Sequence, residues 1–195
     1  AIIASMAIAV TLTYLVPERA LGMIMLPMLI AAVGIFCSIV GILYIRIFAK
    51  SDPQKALMNG TYVAAVLTIA GTGGVIWLVG SDFESRWGTF TRWGIFWSTV
   101  IGVVSGGIIG FVSEYFTSHR YKPTRRIAIN CQSGPALAVV EGLSAGMMSC
   151  VIPTIVLAVA IIFSFQQGGF FGIAMAAFGM LATTGIIVSV DSYGP

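Results

Sequence analysis

Charge is scarce in this sequence. Asp, Glu, Lys and Arg together make up 9% of its 195 residues, whereas soluble domains carry about 25%. Hydrophobic residues make up 58%, and the mean hydropathy is +1.00. This composition excludes an ordinary soluble domain, because there is too little polar surface to face water on every side. Long apolar stretches must instead face lipid or one another.

Residues that hold metals or act as nucleophiles are also few. The three cysteines, Cys37, Cys131 and Cys150, are far apart and form no CxxC pair, and His119 is the only histidine. A zinc site with several Cys or His ligands is therefore excluded. The sequence contains neither a Walker phosphate loop nor a GxSxG nucleophile motif. We interpret the cysteines as small packing residues.

The sequence has no concentrated stripe of positive charge. Its net charge of +3 comes from ten basic and seven acidic residues, and the basic ones are spread over several loops. A nucleic-acid-binding surface needs basic residues gathered on one face or along one helix. The sequence therefore predicts no nucleic-acid partner, and basic loops of this kind are typical of membrane proteins.

What the sequence does contain is six apolar runs. A helix needs about 20 apolar residues to cross a bilayer, whereas a membrane barrel strand alternates over about ten residues. Because these runs are continuous, the sequence predicts an all-α, polytopic integral membrane bundle, a single transmembrane region over residues 1–195. The predicted spans are about 1–16, 21–48, 56–79, 93–115, 136–165 and 169–190.

The two ends of the sequence carry a further expectation. The chain begins at Ala1 and stops at Asp-Ser-Tyr-Gly-Pro, and its first apolar run is short. We therefore expect the chain to be a piece of a longer membrane protein.

The loops between the runs differ in positive charge, and this predicts the orientation. Loops on the cytoplasmic side of membrane proteins carry an excess of Lys and Arg. The predicted cytoplasmic loops are therefore about 49–55 and 117–132, and the first span then runs outward. Seven basic residues flank or occupy these two loops, and three lie in the opposite set. The seven are Arg46, Lys50, Lys55, Arg120, Lys122, Arg125 and Arg126, and the three are Arg19, Arg86 and Arg92.

Glycines recur at every fourth position on two of the predicted spans. They are Gly102, Gly106 and Gly110 on the fourth span, and Gly142 and Gly146 on the fifth. A spacing of four places residues on one helix face, where the missing side chains let another backbone approach closely. The pattern predicts tight helix packing and not a substrate site.

Three acids are candidates for chemistry. Glu114 and Glu141 lie near the cytoplasmic ends of apolar spans, where an unpartnered carboxylate costs a few kcal/mol. Each is interpreted either as a buried ion pair with a neighbouring Lys or Arg, or as part of a proton or cation relay. Asp191 follows the last span, where spacing alone allows either a helix terminus or a functional residue.

Several short motifs resemble those of the membrane-integral pyrophosphatases. In that family Asp-x-Tyr/Phe-Gly-Pro leads directly into a second Asp and an Asn of the active site. The similarity is clearest over residues 114–195 and looser before them. The matching motifs are EYFTS at 114–118, YKP at 121–123, SGPA at 133–136, GLSAGM at 142–147 running on to Pro153, GMLATTG at 179–185 and DSYGP at 191–195.

This resemblance implies an ion-translocating inorganic pyrophosphatase of a prokaryotic cytoplasmic membrane. Members couple hydrolysis of magnesium pyrophosphate to the pumping of protons or sodium ions out of the cytoplasm. They are homodimers with about sixteen helices per subunit in two concentric rings. The first span here would then be the end of the sixth helix and the last span the eleventh, both in the inner ring, with the other four in the outer ring.

The resemblance also implies roles for particular residues. Asp191 matches the first acid of the closing motif, which implies a place at the pyrophosphate site or on the ion-coupling path. Mg²⁺ is the implied cofactor, with its main ligands outside this chain, and these residues leave a K⁺ requirement open. The chain departs from the family pattern at Leu137 and Ala138, where many relatives carry Thr-Asn, and at Met148, which replaces an acid or lysine.

A secondary transporter or channel segment without hydrolytic activity is the alternative interpretation. Such proteins also use small-residue packing and acids near the midplane, but with helices broken there. Pro27 and Pro153 mark the candidate breaks in this sequence. In either case we expect the isolated chain to hydrolyse nothing, since a magnesium pyrophosphate site needs several carboxylates and of the seven acids only Asp191 lies at the predicted site.

Overall fold

A computed structural model shows a chain built almost entirely of helices. It describes residues 2–13, 20–48, 53–79, 83–85, 88–119, 121–131, 134–182, 185, 186 and 188. The elements are α1 (Ile2–Thr13), α2 (Ala20–Phe48), α3 (Pro53–Val79), β1 (Phe83–Ser85), β2 (Gly88–Phe90), α4 (Arg92–Thr117), α5 (Lys122–Asn130) and α6 (Pro135–Leu181). The two strands pair antiparallel, with Phe83 opposite Phe90.

The long helices have the length and composition of membrane spans. Within the described ranges, four helical stretches are long and apolar enough to cross a bilayer: Leu21–Ile47, Asn59–Val79, Arg92–Asn130 and Pro135–Leu181. Helix α1, with 12 residues, is shorter. The predicted all-α membrane bundle is therefore confirmed, and the short ribbon of β1 and β2 does not change the class. The division into six spans stays a prediction.

Helix α6 reverses direction within its 47 residues. Gly168 and Gly169 leave the helical region, and Gly169 has φ 57°, a value that favours glycine. In a straight helix residues eight apart would be separated by about 12 Å. Here the Ser164 carbonyl oxygen lies where a side chain at Gly172 would begin. The chain therefore folds back at Gly168–Gly169, and we call the two arms α6a (residues 135–167) and α6b (residues 170–181).

Prolines inside two helices do not break them. Pro27 lies within α2 and Pro153 within α6a, and the helix continues across each. Membrane helices tolerate proline because neighbouring groups satisfy the freed carbonyl. The candidate midplane breaks of a secondary transporter are therefore absent at these two described positions.

The described residues form two compact units. The first contains residues 1–104 and 160–195, and the second contains residues 105–159. The core of the first unit is apolar and draws on α1, α2, α3, α4 and α6b. Its buried side chains are Ala9, Met23, Leu26, Ile30, Ile76, Ile95, Phe171, Met175 and Phe178.

Two glycines in the first unit bring helix backbones into contact. A Cβ on Gly102 of α4 would meet the Ala176 carbonyl oxygen of α6b, and one on Gly179 of α6b would meet the Thr99 carbonyl oxygen of α4. A methyl group at either position would have to displace backbone and not a flexible side chain. Close approach of this kind is how small residues hold membrane helices together.

The second unit has its own local contacts at the ends of α4 and α5. The Thr124 hydroxyl donates a hydrogen bond to the Phe116 carbonyl at 3.1 Å, and Nε of Arg125 donates to the His119 carbonyl at 3.1 Å. The rings of Tyr115 and Tyr121 lie 4.9 Å apart between centroids. These contacts fold the short helix α5 back against the end of α4.

The glycine contact leads to a first prediction, that Gly102→Ala destabilises the protein and Gly107→Ala does not. Both changes gain helix propensity, about 1 kcal/mol each. Only the first places a methyl group against backbone, since a Cβ at Gly107 meets nothing within 4 Å. We expect overpacking to cost about 1–3 kcal/mol at position 102, measured as a lower melting temperature of the full-length protein in detergent. Equal melting temperatures of the two variants would contradict the contact.

Candidate functional site

The site predicted from sequence centres on Asp191, and this residue lies outside the described residues. The structure does describe α6b, the helical arm that precedes it. Residues Phe171, Met175 and Phe178 of this arm belong to the buried core. Helix α6b is therefore held in the buried core of the first unit.

Helix α6b is enclosed on two sides. On one side it contacts α4 through the glycine pair at positions 102 and 179. On the other side α2 contacts the residues that follow α6b, since a Cβ on Gly34 would lie 2.8 Å from the Ala182 carbonyl oxygen. One turn further along, a Cβ on Gly41 would lie 2.7 Å from Cδ1 of Ile186. Backbone contact with α4, together with the contact of α2 against the residues that follow, restricts the tilt of α6b.

Hydroxyl groups are the buried polar groups of the described bundle. They belong to Ser5, Ser38, Thr68, Thr72, Ser98, Thr99, Ser105 and Ser164. Thr68 and Thr99 donate to the carbonyls of Ala64 and Ile95 one turn earlier, at 2.7 and 3.0 Å. Such bonds satisfy a hydroxyl where no water is present.

One buried hydroxyl reaches between helices. The Ser98 hydroxyl of α4 donates to the Ser164 carbonyl of α6a at 3.4 Å. Within the described part of the chain, the hydroxyls of Ser38, Thr72 and Ser164 are buried without a hydrogen-bond partner. Among the described residues, the interior of the first unit is therefore polar only through small neutral groups.

The two acids with described side chains lie at helix ends. Nε of Arg126 in α5 lies 2.6 Å from Oε1 of Glu141 in α6a, with Glu141 24% exposed and Arg126 75% exposed. Glu114 is half-buried near the end of α4, where its carbonyl accepts the Ser118 N–H at 2.8 Å. The structure thus places Glu141 in an ion pair, and the choice between a structural pair and a relay stays open for both acids.

The described residues do not form a magnesium site. No group of three His, Cys, Asp or Glu side chains that could hold a metal ion occurs among them. Glu114 and Glu141 are the acids whose side chains the structure describes, and one of them is paired with Arg126. Two carboxylates at helix ends do not supply the several oxygen ligands that Mg²⁺ requires.

The predicted packing glycines have different surroundings. Gly102 is buried against α6b, and Gly106 is half-buried. A Cβ added at Gly110, Gly142 or Gly146 meets nothing within 4 Å. Their role in packing therefore stays a prediction for contacts beyond those described.

Comparison with known proteins decides the family. A family model described as inorganic H⁺ pyrophosphatase matches residues 1–195. The chain belongs to this family. The resemblance found in the motifs is thereby confirmed.

Curated relatives of this pyrophosphatase chain carry related names. The K(+)-stimulated pyrophosphate-energized sodium pump of Thermotoga maritima is 38% identical over 192 residues, which is 94% of this chain and 26% of that protein. The K(+)-insensitive pyrophosphate-energized proton pump of Methanosarcina mazei is 31% identical over 180 residues, 88% of this chain and 25% of that protein. The chain therefore spans about a quarter of the length of these relatives.

Sequence reasoning missed the rows of buried small residues that include hydroxyls. On α3 of the pyrophosphatase chain, Gly60, Ala64, Thr68 and Thr72 are all buried and recur at every fourth position. On α4 the buried row is Gly94, Ser98 and Gly102. Counting Ser and Thr as small residues, alongside Gly and Ala, would have found both rows.

The ion pair leads to a second prediction, that the coupling between Arg126 and Glu141 is weak. Because Arg126 is mostly exposed, solvent screens the pair, and exposed pairs contribute about 0.2–1 kcal/mol. A double-mutant cycle of Arg126→Gln and Glu141→Gln, followed by unfolding of the full-length protein in detergent, measures this coupling. A coupling of several kcal/mol would show that the pair is buried in the assembled protein.

Proposed function

We propose that the full-length protein hydrolyses inorganic pyrophosphate and uses the energy to pump H⁺ or Na⁺ out of the cytoplasm. The observation that carries this proposal is the family match over all 195 residues. The names of the relatives, a pyrophosphate-energized sodium pump and a pyrophosphate-energized proton pump, support both ions. A chain with four stretches long and apolar enough to cross a bilayer, among its described residues, suits a pump.

Within that pump we assign this chain a supporting and positioning role. By family resemblance α1 and α6b belong to the inner ring, and α2, α3, α4 and α6a belong to the outer ring of each subunit of a homodimer. The contacts of α6b with α4, and of the residues after α6b with α2, support this assignment. The chain would thereby present Asp191 to the pyrophosphate site.

The magnesium that the family resemblance implies is assigned to carboxylates elsewhere in the full-length protein. The described residues lack a ligand set for it. A potassium requirement is left open, because relatives named K(+)-stimulated and K(+)-insensitive both match.

We further propose that the protein resides in a prokaryotic cytoplasmic membrane, with residues 49–55 and 117–132 facing the cytoplasm. The excess of Lys and Arg near these two segments supports that orientation. It places Asp191 on the cytoplasmic side, where pyrophosphate is available.

The function is tested with the purified full-length protein in liposomes. We expect phosphate release on addition of magnesium pyrophosphate, together with uptake of protons or of sodium, followed by a pH-sensitive dye and by ²²Na⁺ in parallel. Ion transport without phosphate release would instead identify a secondary transporter or channel. The isolated chain of residues 1–195 serves as the control and should release no phosphate.

The third prediction concerns Asp191. Asp191→Asn keeps the size of the side chain and removes its negative charge, so it should abolish a role as proton acceptor for the attacking water. In the full-length protein we expect hydrolysis to fall at least tenfold, about 1.4 kcal/mol of transition-state stabilisation, with pumping lost in parallel. Near-normal turnover in a normally folded variant would assign Asp191 to a helix terminus.

The fourth prediction concerns orientation. In a cysteine-free background, His119→Cys should react with a membrane-impermeant maleimide only from the cytoplasmic side, and Ser85→Cys only from the opposite side. Sealed vesicles of both orientations provide the comparison. Reversed labelling would overturn the proposed side of the site and leave the proposed hydrolysis untouched.

A further inference from the structure

A groove in the second unit is lined by the end of α4, by α5 and by α6a. It has a volume of about 580 Å³. Lys122, Arg125, Arg126 and Glu141 line it together with apolar side chains that include Met148. The groove thus combines a basic cluster with an apolar wall on a membrane-spanning helix.

The groove keeps a net positive charge after the ion pair within it is subtracted. Glu141 pairs with Arg126, which leaves Lys122 and Arg125. Neither of these two forms an ion pair with any residue that the structure describes. The Nε–H of Arg125 is held by the His119 carbonyl, so the side chain is fixed while its terminal N–H groups remain for a ligand. The groove therefore suits an anion.

The groove changes from charged to apolar along α6a. Glu141, Ser144, Ala145 and Met148 all line it, and the rise of 1.5 Å per residue places Met148 about 10 Å deeper than Glu141. Met148 is 61% exposed in this chain, so none of the described residues covers this wall. A small soluble anion would fill only the charged end of such a groove.

We propose that this groove binds one anionic phospholipid, with its phosphate held by Lys122 and Arg125 and an acyl chain lying along Ala145 and Met148. A phospholipid matches the groove, because its charged phosphate group is followed by apolar acyl chains. Basic pockets beside membrane helices bind anionic headgroups for this reason. The proposal needs the chain to lie in a membrane and does not depend on pyrophosphate hydrolysis.

The test is photo-crosslinking of the full-length protein in phosphatidylcholine nanodiscs that contain a small fraction of phosphatidylglycerol. The phosphatidylglycerol carries a diazirine in its acyl chain, and mass spectrometry quantifies the label on residues 145–148. We expect labelling there, and a matching phosphatidylcholine probe should label the segment much less. Lys122→Gln and Arg125→Gln should each weaken phosphatidylglycerol binding about fivefold, the effect of one charge near the membrane surface.

Two controls separate the lipid site from other causes. Arg46→Gln removes an exposed positive charge from the end of α2, outside the groove, and should leave the labelling unchanged. Arg125→Lys keeps the charge and should retain most of it, which separates loss of charge from misfolding.

Three results would overturn the proposal. Equal labelling by the phosphatidylcholine probe would show a groove without preference for charge. Labelling that is insensitive to Lys122→Gln and Arg125→Gln would place the lipid elsewhere. Competition by inorganic pyrophosphate or by glycerophosphoglycerol, which lacks acyl chains, would show that the groove takes a soluble anion.

Discussion

Backbone contact between α4 and α6b is the interaction on which the arrangement of the first unit depends. In a bilayer, apolar side chains gain little by leaving lipid for another helix, so association relies on close packing and on polar contacts. Gly102 and Gly179 allow that packing because each lies against a carbonyl of the opposite helix. Larger residues at these positions would separate α4 from α6b. The core around Phe171 and Met175 would then lose the helix contacts that enclose it.

The turn at Gly168–Gly169 makes this contact available. Because the chain reverses there, Ser98 of α4 lies beside both arms of α6, donating to the Ser164 carbonyl on one arm and lying 2.9 Å from a Cβ built at Gly172 on the other. A helix that continued straight would carry Gly172 about 12 Å away from Ser164. One local departure from helical geometry therefore places α6b against α4.

Much of the fold could be predicted from continuous apolar runs and from charge, because a helix is the form in which a single segment satisfies its own backbone in lipid. Helix α5 was missed, since nine residues with three positive charges give no span signal and its position depends on Thr124 and Tyr121 contacting α4. The glycine rows predicted that helices touch, but not which ones. Gly102 and Gly110 share one pattern, and only the first meets a neighbour among the described residues.

The candidate site could be predicted only from its motif. The position of Asp191 directly after the last span is equally typical of a functional acid and of a helix terminus.

The scarcity of acids among the described side chains fits the supporting role that we propose for this chain. An ionised carboxylate deep in a bilayer costs a few kcal/mol unless it is partnered, and the described core of the first unit carries only hydroxyls as buried polar side chains. Hydroxyls are neutral, so they add no charge that must be neutralised, and Thr68 and Thr99 bind the backbone of their own helices. A neutral, backbone-packed core can hold α6b in place without partners for buried charges. Near the helix ends, Arg126 and Glu141 form an ion pair with each other.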